Sequence, residues 1–167
     1  MGYSAPPPLV LDTGPLLTYL TGQYLDFIQP DRATRTNALV EVSGQSGWDD
    51  SKQRAFETLL RLRSRRLITT HVAGEIFHLR KYSFLKRNEQ QFRKFVLDRL
   101  SFFEEQGVLI EGLEQELIIQ FGPTDAGLIW IARETRGELV TSDYRLFRAL
   151  SSDLYKITPL DYFVVPA

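Results

Sequence analysis

Residues 9–17, LVLDTGPLL, decide the fold: three apolar residues in a row, an aspartate, then Thr-Gly-Pro and a second apolar run. An unbroken apolar triplet behind Pro8 reads as a strand buried on both faces, the signature of a parallel sheet. Asp12-Thr13-Gly14-Pro15 then turns the chain into a short helix, PLLTYL. The same elbow recurs twice. RLITT (66–70) leads into a helix carrying Glu75, and ELVT (138–141) leads through Ser142 into a helix beginning at Asp143. Between them Pro123 and Thr124 prepare the helix DAGLIWIARETRG, which Gly137 ends.

The remaining chain fills in around these elbows. KQRAFETLLRLR (52–63) has the apolar spacing of an amphipathic helix. Residues 71–106 read as two helices broken near Asn88, GVLIEG (107–112) as a compact strand, ELIIQFG (116–122) as a short helix, and YKITPLDYFVV (155–165) as an edge strand or tail. The stretch 29–50 shows Gly and Ser punctuation without a sustained period, and reads as a surface insertion or flexible loop. Alternating strands and helices imply one α/β domain over residues 1–167, with a central, mainly parallel sheet covered by helices on both faces, a three-layer α/β/α arrangement.

At 167 residues and 43% hydrophobic, the chain can bury a core without staples. It has no cysteine, which excludes disulfides, thiolate nucleophiles and zinc ribbons. MGYSAPPPLV lacks a basic segment followed by an apolar stretch, and no run of 18 apolar residues occurs, so the expectation is a soluble cytoplasmic protein without membrane contact. The net charge of −1 hides an uneven distribution: residues 51–99 hold 13 Lys+Arg against 4 Asp+Glu, leaving the remainder at −10. A basic surface beside an acidic pocket suits a phosphate-backbone substrate whose reacting phosphate meets a metal ion.

The acids at the elbows are Asp12, Glu75 and Asp143, with Asp125 opening a helix. Chemistry in open α/β sheets gathers beyond the carboxyl ends of the strands, so these four are candidates to converge there. Two carboxylates about 4 Å apart repel by roughly 4 kcal/mol near a protein surface, so such a cluster must stay partly protonated or hold a hard cation. Singly, each acid has a plainer reading as a helix cap or solvated residue. Capping does not explain an acid at every elbow of one sheet edge.

LVLDTGPLL, the Glu a few residues beyond ITT, TDAGLIWIA and LVTSDYRLF, in this order and spacing, resemble the PIN-domain nucleases, including the VapC-type toxins of toxin–antitoxin pairs. The likeness spans most of the chain. It implies a sheet of about five parallel strands and hydrolysis of RNA phosphodiester bonds by a metal-activated water. Asp12, Glu75, Asp125 and Asp143 would be the catalytic acids and hold Mg²⁺ or Mn²⁺, while Thr141 would orient a carboxylate or a water. It also implies a homodimer, and for a toxin a small antitoxin partner. A stand-alone RNA-processing nuclease and a catalytically quiet PIN-like binding module are the alternatives.

Arg80-Lys81-Tyr82-Ser83-Phe84-Leu85-Lys86-Arg87 interleaves cations with aromatics, a pattern used to track a backbone and stack bases. Arg80, Lys81, Lys86 and Arg87 are therefore candidate RNA contacts, with Arg61, Arg63, Arg65 and Arg66 ranked behind them. His71, Glu75 and His78 share a helix face, but a lone Glu-x-x-His lacks the second copy that a di-iron site needs, so the histidines read as solvated. Trp130 and Phe147, among apolar neighbours, read as core.

Overall fold

The computed structural model describes residues 6–150 and 156–164; the first five residues of MGYSAPPPLV, and Tyr155 and Val165 of the expected tail, lie outside them. Five strands, β1 (Leu9–Leu11), β2 (Arg66–Thr69), β3 (Glu104–Gln106), β4 (Glu138–Thr141) and β5 (Ile157–Pro159), form one sheet in the order β3-β2-β1-β4-β5, every pairing parallel. Helices flank it in an α/β/α arrangement, as the alternation of elements requires. Among the described residues, no helix is long and apolar enough to cross a membrane.

β1 is wholly buried, as its unbroken apolar run demands. It leads through Asp12 into α1 (Thr13–Ile28), a helix far longer than PLLTYL. The extension follows from the burial of Thr21, Gly22, Tyr24 and Leu25 as well. Gln29 ends it in the left-handed conformation (φ 48°), just before Pro30.

The largest correction concerns residues 29–50. They hold α2 (Arg32–Ser43), capped by Asp31, whose side chain accepts the Thr34 N–H at 3.0 Å, and stopped by Gly44 at φ 70°. Only Ala38, Leu39, Val42 and Ser43 are buried, against α1, so the apolar period is too thin to read along a helix that is otherwise polar. Glu41 ties α2 across the molecule: its carboxylate accepts Ser83 N and Oγ, both at 2.7 Å, and Phe84 N at 3.2 Å, satisfying the first turn of α5 (Ser83–Arg87).

α3 (Asp50–Arg61) packs on α1 through a buried polar link. Gln53 accepts the Trp48 indole N–H at 2.9 Å and donates to Glu57 at 2.9 Å, crossing α1 at Gly22, where no side chain would fit. Thr70 opens α4 (Thr70–Glu75) directly from β2. The single helix expected from His71 to Asn88 is instead three pieces, α4, a 3-10 turn at Leu79–Lys81 and α5; the break at Asn88 is as expected, and α6 (Glu89–Leu100) ends before Gln106.

GVLIEG is not a strand. The edge strand β3 falls earlier, on Glu104-Glu105-Gln106, whose side chains are largely solvated; the backbone pairs with β2 at Leu67↔Glu104 and Thr69↔Gln106, and Arg65 adds an ion pair to Glu104. Leu109 and Ile110 are exposed instead. α7 (Gln115–Phe121) and α8 (Pro123–Glu134) follow, meeting at Gly122 with φ 90°. α8 packs across β1, β2 and β4, yet Trp130 is 37% exposed, on the helix face away from the buried Leu128, Ile129 and Ile131. Phe147, on α9 (Tyr144–Leu150), is half-buried against the core. β5 is the predicted edge strand, and α10 (Leu160–Phe163) extends it.

Candidate active site

β1 is flanked by β2 and β4, and the chain travels out through β2 and β3 before returning to β4 on the other side. The reversal places the switch point of the sheet between β1 and β4, where strand ends open a crevice. Asp12 follows β1, Glu75 closes the helix after β2, and Asp143 lies two residues past β4. α8 feeds the amino end of β4, so its first turn, with Asp125, begins at the same carboxyl edge.

The register Leu11↔Val140 and the bond from Asp12 N to Val140 O (3.1 Å) bring Asp12 level with Thr141. The Thr141 hydroxyl donates to Asp12 Oδ2 at 2.7 Å and accepts the Asp143 N–H at 2.9 Å. Asp12 Oδ1 accepts the Thr13 N–H at 2.6 Å, and the Thr13 hydroxyl donates to Glu75 Oε2, also at 2.6 Å. Two threonines therefore connect three acids from three separate elbows. Gly14 permits the close approach behind them: a Cβ there would stand 2.9 Å from Ser142 Oγ.

The carboxylates feel one another. Burial raises the Asp12 carboxyl above its usual range, with Glu75 and Asp143 adding to it and the Thr141 and Thr13 bonds opposing. Burial, then Asp12 and Asp143, push Asp125 up to about 6. Asp143 goes the other way, because the Arg145 guanidinium chelates it, at 2.8 Å for the shortest contact. Among the described residues, no three acidic or histidine side chains are grouped tightly enough to grip an ion as they stand. Glu75 is engaged by Thr13, and Asp143 by Arg145.

Asp12, Glu75 and Asp143 line one cleft of about 830 Å³. Its walls include Glu41 and the end of α2, Lys81 and Tyr82 ahead of α5, and Tyr144 and Arg145 at the start of α9. Asp125 is not among the lining residues, although its charge is coupled to all three acids of the cleft. The donor set is all oxygen and over-supplied with negative charge, and the buried Ser142 hydroxyl beside it has no hydrogen-bond partner. That chemistry fits a hard divalent cation.

Of the candidate RNA contacts, Lys81 reaches the cleft. Arg87 lines a separate polar hollow with Glu41 and Ser83, and Lys86 is exposed nearby; the side chain of Arg80 is not among those described. Arg63 and Arg65 belong elsewhere. Arg63 pairs with Glu138 at 2.7 Å and donates to Pro7 O, and Arg65 pairs with Glu104 at 2.8 Å, both where strands begin and away from the acids. Arg61 pairs with Glu57, and Arg66 lies over Phe103. His71 and His78 are exposed, and they do not share a helix face with Glu75, because α4 ends at Glu75 and His78 precedes the 3-10 turn.

The sequence reading missed Glu41, Thr13, Tyr144 and Arg145. Arg145 had a local signal, since a cation two residues after a helix-opening aspartate is in reach of it. Glu41 had none, its contact being 42 positions away. Comparison of the chain with protein-family models and with curated proteins returns no match.

Proposed function

We propose that this protein is a metal-dependent endoribonuclease that hydrolyses RNA phosphodiester bonds, with Asp12, Glu75, Asp125 and Asp143 holding Mg²⁺ or Mn²⁺ directly or through water. The observation that carries the reading is the meeting of Asp12, Glu75 and Asp143 in one cleft, with Asp125 inside their field. When bound, the cation would neutralise these carboxylates and lower the pKa of the attacking water. Thr141 fixes the orientation of Asp12, and Thr13 that of Glu75. Lys81 and Arg145 supply positive charge for the phosphates flanking the cut. The resemblance to PIN-domain nucleases supports the same chemistry, whether as a toxin with a small antitoxin or as a stand-alone processing enzyme.

Cleavage of a mixed RNA pool with end mapping tests it, wild type against Asp12→Asn. The expected result is cutting that leaves 5′ phosphates, stops with EDTA, returns with Mn²⁺ and is absent from the variant. Equal turnover by Asp12→Asn would overturn the reading. The resemblance to PIN-domain nucleases also supports a homodimer, for which light scattering should give a dimer mass.

A further inference from the structure

A second groove, of about 360 Å³, opens on the Glu75 side of the cleft and is lined by Thr13, Leu17, Glu75, His78, Lys81 and Tyr82. Four of these residues, Thr13, Glu75, Lys81 and Tyr82, line the main cleft as well. The two spaces are therefore neighbours across one shared wall. Arg145 lines only the main cleft, on the side of Asp143, and His78 only the second groove. The main cleft thus carries a cation from α9 beside Asp143, and a second cation, Lys81 ahead of α5, that borders the groove as well.

A polyanionic strand laid over the acids would meet Arg145 on one side of the reacting phosphate and Lys81 on the other. Its next unit beyond Lys81 has the second groove to enter, whose volume is that of a small-molecule site. The groove offers an apolar floor at Leu17, the rim of the Tyr82 ring, an imidazole and an ammonium group. That mixture suits a base with its sugar better than a bare phosphate. Lys81 is placed for the phosphate joining them: it is exposed, and its Nζ stands 5.0 Å from the Tyr82 ring centroid, swinging over an otherwise buried ring.

We infer that the groove lined by Leu17, His78, Lys81 and Tyr82 is a nucleotide subsite, taking the nucleotide next to the scissile phosphate on the Glu75 side. The inference rests on the endoribonuclease reading. It makes the enzyme's grip depend on RNA extending past the cut on the Glu75 side.

The test combines substrate truncation with substitution. Short RNAs containing the mapped cut, lacking the adjoining nucleotide on the 5′ or the 3′ side in turn, are titrated by fluorescence anisotropy against Asp12→Asn protein in EDTA. The same series is run with Lys81→Gln and with His78→Ala added. Loss of the nucleotide on one side should weaken binding by about tenfold, the scale of one base contact, and by less than about twofold once His78 or Lys81 is replaced. Lys86→Gln, altering a cation that lines neither space, should weaken all RNAs evenly. Equal truncation penalties in every protein would overturn the subsite while leaving cleavage by the wild type intact. RNA neither bound nor cut would overturn the subsite and the nuclease reading together.

Discussion

The Thr141 hydroxyl stands 2.7 Å from Asp12 Oδ2 and 2.9 Å from the backbone nitrogen of Asp143, donating to the first and accepting from the second. One side chain thereby fixes the orientation of one acid and the backbone entry of another. Thr141→Val keeps the shape and removes both bonds. The Asp12 carboxyl should then titrate higher still, since the bond from Thr141 is the largest effect opposing burial. Activity should fall by about 10–100-fold, as for loss of a group that orients a ligand, with the acid limb of the pH–rate profile moved upward. An unmoved acid limb would show that Thr141 does not govern Asp12.

Asp125 provides a pH test of the acid cluster. Its carboxyl lies near 6 in the fold against the ordinary 3.8, so the folded chain holds this proton more tightly than the unfolded one. The contribution of Asp125 to stability in EDTA is therefore greatest below about pH 4, declines as pH rises from about 4 to about 6, and is level above that. Asp125→Asn removes the decline. At pH 7.5 the variant should be more stable by on the order of 1–2 kcal/mol, after discounting for partial solvent screening, and inactive. Urea denaturation of both proteins across pH 4–8 measures the difference; a constant gap between the curves would contradict the assignment.

Glu41 joins two walls of the cleft. Glu41→Ala leaves the first-turn donors of α5 at Ser83 and Phe84 without their acceptor. A loss of about 1–2 kcal/mol is expected, together with a raised KM for RNA at a temperature where the variant is fully folded. Glu41→Gln, which keeps an acceptor oxygen, should recover most of the KM. If alanine costs stability yet leaves KM unchanged, α2 is a prop and not a wall of the binding surface.

Gly22 lies where a Cβ would fall 1.9 Å from Gln53 Nε2. Gln53 cannot withdraw without abandoning the Trp48 indole and Glu57, both buried. Despite the better helix propensity of alanine, Gly22→Ala should destabilise by about 2–4 kcal/mol, read as a lowered midpoint in thermal or urea unfolding. A neutral result would mean that the Gln53 network yields easily.

The sheet was legible where burial on both faces left apolar runs at an elbow, as at Leu9–Leu11 before Asp12 and at Leu139–Val140 ahead of Asp143. β3 was not, because an edge strand can be as polar as Glu104-Glu105-Gln106 when its partner supplies the bonding. α2 escaped for a similar reason: three apolar contacts suffice to dock a helix on α1, too few to make a period. The acids could be read from local context, since Asp12, Glu75 and Asp143 sit at elbows and Asp125 in the first turn of a helix. Their mutual geometry could not, because Thr13, Thr141 and Arg145 decide which oxygens are engaged. Glu41 belongs to the class of residues whose partner is remote and whose own neighbourhood is unremarkable.

Because β1 pairs on one side with β4, Asp12 and its orienting hydroxyl are 129 positions apart. A growing or truncated polypeptide that ends before Glu138 carries Asp12, Glu75 and Asp125 but lacks Thr141, Asp143 and Arg145, and leaves one edge of β1 bare. Under the proposed reading, cleavage cannot begin until β4 and α9 have docked, so competence arrives with this late segment and not by degrees.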